Sequence, residues 1–280
     1  LGAQAAQYWA DVRADYERVR HQHANKKQVP LWPLERARAN KTRIDWAGYQ
    51  PPQPKFIGRR VIRNIDLHEL LPFIDWGPFF QTWDLAGKYP AILRDEVVGE
   101  EATRVFNDAQ AMLKKIVEGR WLTANAVLGF WPACTVHDDD IALYADESRQ
   151  DRVLTWYGLR QQTEKQEDAQ DHLRPSRCLA DFIAPTQSAM NSEAVGARQT
   201  GDAGQNGLKD YIGAFAVTAG IGAEVKVQQF MAAHDDYSAI TLKALADRLA
   251  EATAEWLHHR VRTDLWGYAA GEGLSNDELS

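Results

Sequence analysis

The chain has 280 residues, two cysteines, ten tryptophans and a formal net charge of -7, enough length for one large domain or two small ones. A mean hydropathy of -0.47 with no apolar run near twenty residues excludes a transmembrane helix, and the first thirty residues mix charges with apolar positions too evenly for a signal peptide. Cys134 and Cys178 show no CxxC spacing, so neither a disulfide framework nor a zinc knuckle is indicated and a cytoplasmic setting is expected.

Charge is unevenly spread. Residues 1–70 hold 13 Lys and Arg against 7 Asp and Glu, and the remaining 210 hold 19 against 32. This argues against binding nucleic acid over the whole surface. It suits a local basic patch for an acidic protein partner, and equally a solvated helix face.

In chain order, residues 4–27 read as an amphipathic helix, with Tyr8, Val12, Tyr16 and Val19 at spacings of three and four. Five prolines between Pro30 and Pro54 mark an extended connection with a short helical stretch near 34–39. Residues 1–55 thus form an N-terminal helical and extended segment. FIGRRVIRNI (56–65) reads as a strand, and Asp66 can cap the short helix after it. Residues 99–119 read as a helix with Val105, Ala109, Met112 and Ile116 on one face and Gly119 placed to stop it.

Residues 126–145 read as a β-hairpin turning at His137–Asp139, and 153–159 as another strand, leading into a helix or turn at 160–166. LADFIAP (179–185) and YIGAFAVTAG (211–220) are apolar segments of strand length. Between them, 186–209 is rich in Gly, Ala, Gln, Asn and Ser and is expected to be a flexible insertion loop. Residues 222–234 and 235–264 read as two helices, the second capped by Asp235 or Asp236. Strands in the middle with helices at both ends give an α+β class with a mostly antiparallel sheet.

The segment FIDWGPFFQTWDLAGKYP (73–90) fits no periodic template. Phe73, Trp76, Phe79, Phe80 and Trp83 crowd around Asp75, with Gly77 and Pro78 breaking the backbone. An acid among rings is costly to desolvate unless something pairs with it. Asp75 is therefore a candidate ligand-facing carboxylate, and the alternative is a helix cap or an internal pair. On the last helix, Leu242, Leu245, Leu249 and Trp256 build an apolar stripe, which puts Asp247, Glu251, Glu255, His258 and Arg262 toward solvent. His21 and His23 sit on different faces, His258 and His259 are adjacent, and aspartates 138–140 lack calcium-loop spacing, so no metal site is expected. No HExxH, P-loop, GxGxxG or GxSxG motif occurs.

Together with VVGEEATRVFNDAQAML (97–113), DDIALYADESR (139–149), LRQQTEK (159–165), CLADFIAP (178–185), DYIGAFAVTAG (210–220), the helix of 234–262 and WGYAAGEGLSNDEL (266–279), the aromatic run resembles the C-terminal activation domain of cobalamin-dependent methionine synthases. The resemblance covers nearly the whole chain and is weaker over 1–50. It implies a single curved α+β domain with a twisted antiparallel sheet and flanking helices. The implied role is to bind S-adenosylmethionine and cap the cobalamin-binding domain of the same polypeptide. Oxidised cob(II)alamin is then reductively methylated with an electron from flavodoxin or an equivalent reductase, which sustains methyl transfer to homocysteine. Cobalamin itself is implied to be held mainly by another domain.

By the same resemblance, Asp75 in IDW contacts S-adenosylmethionine and Glu251 in LADRLAEA lines its site, with no residue of this chain in a catalytic acid–base role. The departure from the family is its Arg-x-x-x-Gly-Tyr segment, which residues 1–280 lack. The capping-box pattern at 275–278 just before Ser280 points to a truncated C-terminus, so the fragment is expected to bind the ligand weakly and to be inactive alone. The alternative is a non-catalytic docking module for a flavodoxin-like partner or a cobalamin protein.

Overall fold

The computed structural model describes residues 5–24, 30–46, 48–165, 173–186 and 208–273. Backbone contacts divide the chain into two compact units. The larger comprises Asp45–Tyr157 with Ile183–Ser280, and the smaller comprises Leu1–Ile44 with Gly158–Phe182.

The larger unit is built on five strands: β1 (Gly58–Ile65), β2 (Thr123–Val136), β3 (Asp140–Tyr144), β4 (Arg152–Tyr157) and β5 (Asp210–Ile221). Every pairing is antiparallel, in the order β1-β2-β3-β4, with β5 along the other side of β2. β2 runs for 14 residues, so that its first half pairs with β1 and its second half with β3. Its alternation places Ala124, Ala126, Leu128 and Phe130 in the core while Asn125 and Val127 stay half-exposed. The β2–β3 turn falls at His137–Asp139, where His137 takes a positive φ of 56°.

Helices of the larger unit cover one face of this sheet. In the smaller unit lie α1 (Ala5–Ala24) and α2 (Leu34–Ala39); the larger unit adds α3 (Leu67–Leu70), α4 (Gly77–Gln81), α5 (Gly99–Glu118), α6 (Ala223–Ala232) and α7 (Asp236–Arg260). Val105, Ala109, Leu113 and Ile116 of α5 join Leu242, Leu245, Leu249 and Leu257 of α7 and the inner residues of β2 in one buried cluster. Capping fixes the helix starts. Asp66 accepts from the His68 N–H, and Asp235 accepts from the Ser238 N–H. A π-turn, Val261–Leu265, follows α7. The α+β class with an antiparallel sheet and flanking helices is thus what the chain adopts. Among the described residues no helix is long and apolar enough to cross a membrane.

Four local expectations are corrected. The segment 179–185 is not a strand: Leu179–Phe182 forms a 3-10 turn. Its Asp181 accepts from the Cys178 N–H at 3.0 Å, a local bond that winds the backbone. The stretch 160–165 is neither helix nor turn but extended, with Thr163 bridged to Leu31. The strand expected at 153–159 ends at Tyr157. The helix of 4–27 is present over Ala5–Ala24, but Tyr8, Trp9 and Tyr16 are exposed rather than packed. Most of the insertion at 186–209 and the capping-box pattern at 275–278 lie outside the described residues.

Candidate ligand site

Asp75 sits in a short link between the 3-10 turn Leu71–Phe73 and α4. The rings beside it divide their work. Trp76, Phe79 and Phe80 turn inward and are buried, Trp76 lying edge-on to Phe79 and Phe106. This anchors the backbone and leaves the carboxylate on the surface. Asp75 is exposed rather than shielded among rings, and its Oδ1 accepts from the Gly77 N–H at 2.8 Å. One oxygen thus closes a local Asx turn onto the first residue of α4, whose N-cap position is Trp76 and has no side-chain cap. Among the described residues it makes no ion pair, and Oδ2 is left available.

The Asp75 segment runs along α7. Trp256 of α7 donates its indole N–H to Glu69 at 3.1 Å, Phe73 lies 5.9 Å from the His259 ring, and Trp83 lies 4.9 Å from the Tyr237 ring near the other end of the helix. Glu251 belongs to the same helix and is also exposed. It stands eight residues before His259, an axial offset of about 12 Å, so it is not beside Phe73.

The two acids differ electrostatically. Glu251 is clasped in bidentate fashion by Arg248, at 2.6 and 3.1 Å, and that guanidinium is nearly buried, with 11% of its side chain exposed. Its charge is therefore largely answered before any ligand arrives. Asp75 has only a backbone donor. A cation approaching this surface meets a stronger field at Asp75 than at Glu251.

Past α7 a third group of charges gathers. Arg262 donates to Glu272 at 2.7 and 2.5 Å and lies over the Tyr268 ring. The Arg262 guanidinium, with lesser help from His258 and His259, holds the Glu272 carboxyl below its ordinary value. Sequence reasoning missed this clasp, although Arg262 was placed toward solvent. Nothing in the spacing announces it, because residues 266–272 must first fold back on α7. The Arg248–Glu251 pair was findable, since it follows the i,i+3 rule of helix surfaces.

Two surface depressions occur elsewhere: a groove of ≈ 260 Å³ on β1, β2 and β5 around Val61, Val127 and Ala216, and a cleft of ≈ 200 Å³ between α5 and α7 around Asp108, Lys115 and Tyr237. Neither contains Asp75 or Glu251. Among the described residues no cluster of His, Cys, Asp or Glu is arranged to hold a metal ion.

The antiparallel sheet backed by α5 and α7 has a counterpart among solved structures. The crystal structure of the MetH reactivation domain bound to AdoHcy matches with a TM-score of 0.74 and 46% sequence identity, covering 89% of this chain and 69% of that chain. The family model for the vitamin B12 dependent methionine synthase activation domain matches residues 66–280. The chain belongs to that family.

Proposed function

We propose that this domain binds S-adenosylmethionine with Asp75 as the principal acid, and presents it to the cobalamin-binding domain of the same polypeptide. The solved relative is bound to AdoHcy, the product that remains when S-adenosylmethionine has lost its methyl group. The observation that carries the reading is the state of Asp75: a carboxylate on a ring-anchored backbone, exposed, with only the Gly77 N–H on it. The ligand's ammonium and sulfonium are both cationic, and a carboxylate without a counter-cation favours them. Glu251 is a weaker second acid, because Arg248 already answers it.

The chemistry asks little acid–base work of this chain. A sulfonium is an activated leaving group and departs as a neutral thioether, so no general base is needed. The chain's part is to hold and orient the ligand and to dock. Cobalamin, carried mainly by another domain, supplies the cobalt centre that accepts the methyl group. Flavodoxin or an equivalent reductase supplies the electron for this reductive methylation, in a cytoplasmic methyltransferase that makes methionine from homocysteine.

Calorimetric titration with S-adenosylmethionine tests this on the 280-residue chain and on a chain extended through the family's Arg-x-x-x-Gly-Tyr segment. The extended chain binds, and Asp75→Asn weakens it by roughly tenfold or more, the loss of one charge-assisted contact. Glu251→Gln has a smaller effect. Equal affinity of the Asp75→Asn variant and the parent removes Asp75 from the site, and no binding by the extended chain favours a docking module without a ligand.

A further inference from the structure

S-adenosylmethionine and AdoHcy share their ammonium, carboxylate and adenosyl groups. They differ by one methyl group and one positive charge, the sulfonium. A site built around one carboxylate tells them apart by the net field at the sulfur, so charges near Asp75 count even where they never touch the ligand. The end of α7 gathers His258, His259, Arg260 and Arg262 within one stretch of helix. This end lies beside the Asp75 link: the His259 ring stands 5.9 Å from that of Phe73, two residues before Asp75. Arg262 follows His259 by three residues, an axial step of about 4.5 Å. Two uncompensated arginines here would repel a cationic ligand, and each is answered. Arg260 donates to Asp264 at 2.7 Å, a carboxylate that Lys55 shares at 3.5 Å.

Arg262 is answered from outside the helix. The chain turns back on the end of α7, with the Trp266 and Gly267 N–H groups both donating to the Val261 carbonyl, Gly267 at a φ of +86°, and the Ala269 N–H donating to the Arg262 carbonyl. This return delivers Glu272 to the guanidinium. The two side chains are 23% and 20% exposed, against 38% and 52% for Arg260 and Asp264. Removing one partner therefore uncovers a charge that solvent screens poorly. The charges of His258 and His259 also act on the Glu272 carboxyl, so the pair sits within range of the turn that packs on Phe73. We propose that Glu272 is a specificity-determining residue: by cancelling the charge of Arg262 beside the Asp75 link, it keeps the site selective for the sulfonium ligand over the neutral thioether. It acts through Arg262 and does not touch the ligand. The inference rests on the S-adenosylmethionine reading of Asp75 above, and adds what sets the preference for the methylated ligand over its demethylated product.

Calorimetric titration of the chain extended through the family's Arg-x-x-x-Gly-Tyr segment, with S-adenosylmethionine and with AdoHcy at pH 8 and low salt, tests it. The readout is the ratio of the two affinities on one preparation, which a shared loss of folded protein leaves unchanged. Glu272→Gln uncovers the Arg262 charge and lowers the preference for S-adenosylmethionine by roughly threefold, an effect that shrinks at high salt. Arg262→Gln uncovers the Glu272 charge and raises the preference by a similar factor. The two substitutions together restore the parent ratio. Opposite signs are the signature of charge, because a clasp that merely holds the chain in place shifts both single variants the same way. Unchanged ratios, or shifts of one sign, overturn the proposal. If Asp75→Asn loses binding while the Glu272 and Arg262 ratios stay at the parent value, this inference alone fails. If Asp75→Asn binds both ligands as the parent does, the Asp75 reading fails and takes this inference with it.

Discussion

Asp181 accepts from the Arg160 guanidinium at 2.7 and 3.0 Å, from the Cys178 N–H at 3.0 Å and from the Thr42 N–H at 3.3 Å, and both members of the ion pair are buried. Asp75 accepts one backbone N–H and is exposed. The two carboxylates predict opposite outcomes on substitution. Asp181→Asn leaves a buried guanidinium uncompensated and should cost about 3–5 kcal/mol, read as an earlier urea-unfolding midpoint. Asp75→Asn should change stability by less than about 0.5 kcal/mol, so any loss of ligand binding there is not a folding defect. Neither environment was legible from the residue letters. Asp75 looked enclosed because five rings are its sequence neighbours, yet Trp76, Phe79 and Phe80 point away from it into the core. Asp181 lies in a segment whose letters read as apolar and strand-length, and its partners Arg160 and Thr42 are distant in sequence. Burial also pushes the Cys134 thiol up, with its sulfur 3.5 Å from the Tyr144 hydroxyl, and Cys178 is buried too. Ellman's reagent should find no reactive thiol in the native chain and two after denaturation.

Elements whose order is local were readable. α5 announced itself by its apolar stripe and its stop at Gly119, and the β2–β3 hairpin by its polar turn, because the 3.6 and 2.0 periodicities and the turn residues all lie within one short window. α7 was readable for the same reason, with its cap narrowed to Asp235 or Asp236, of which the structure uses Asp235. What the sequence did not carry is the path of α4 and the Asp75 link along α7, since that depends on which apolar faces meet. The junction from β5 to α6 shows how tightly such a meeting constrains a single residue. Gly222 takes a φ of +103°, and a Cβ there would stand 2.5 Å from the Trp121 carbonyl oxygen. Gly222→Ala combines left-handed strain with a backbone clash. It should destabilise the larger unit by more than about 1 kcal/mol, seen as a lower melting temperature and faster amide exchange in α6 and the end of β5.

At the scale of the molecule, the pH dependence of stability follows from how its carboxylates are answered. Hydrogen bonds from the Val98 and Val97 N–H groups hold Asp95 below its ordinary 3.8. Arg104 does the same for Glu101 from 4.5, Ser148 for Asp146, Ser238 for Asp235, Arg260 for Asp264 and Arg262 for Glu272. Each of these groups has a depressed folded pKa, so its contribution is present above the ordinary carboxyl value and is lost as pH falls through the folded one. Asp210 runs the other way. Burial outweighs the Ala184 and Tyr211 N–H donors and raises it, so its contribution is fully present below 3.8 and is lost as pH rises through the raised value. Six depressed groups against one raised group decide the sign on the acid side. The melting temperature should hold level near neutrality and fall steadily once pH drops below the ordinary carboxyl range of 3.8–4.5. On the alkaline side Tyr237 is pushed up to about 12, by burial first and then by its hydrogen bond to Asp108. Its contribution is complete below the ordinary 10.0 and disappears as pH rises through about 12. Burial raises Tyr144 to about 12 and Tyr211 upward as well, so Tyr237→Phe should remove only its own share of the alkaline loss, and it should cost about 1 kcal/mol at neutral pH because Asp108 then loses the hydroxyl donor. Melting curves recorded across the pH range for parent and variant check both limbs, and an acid limb that rises instead of falling would show that Asp210 dominates the carboxylates.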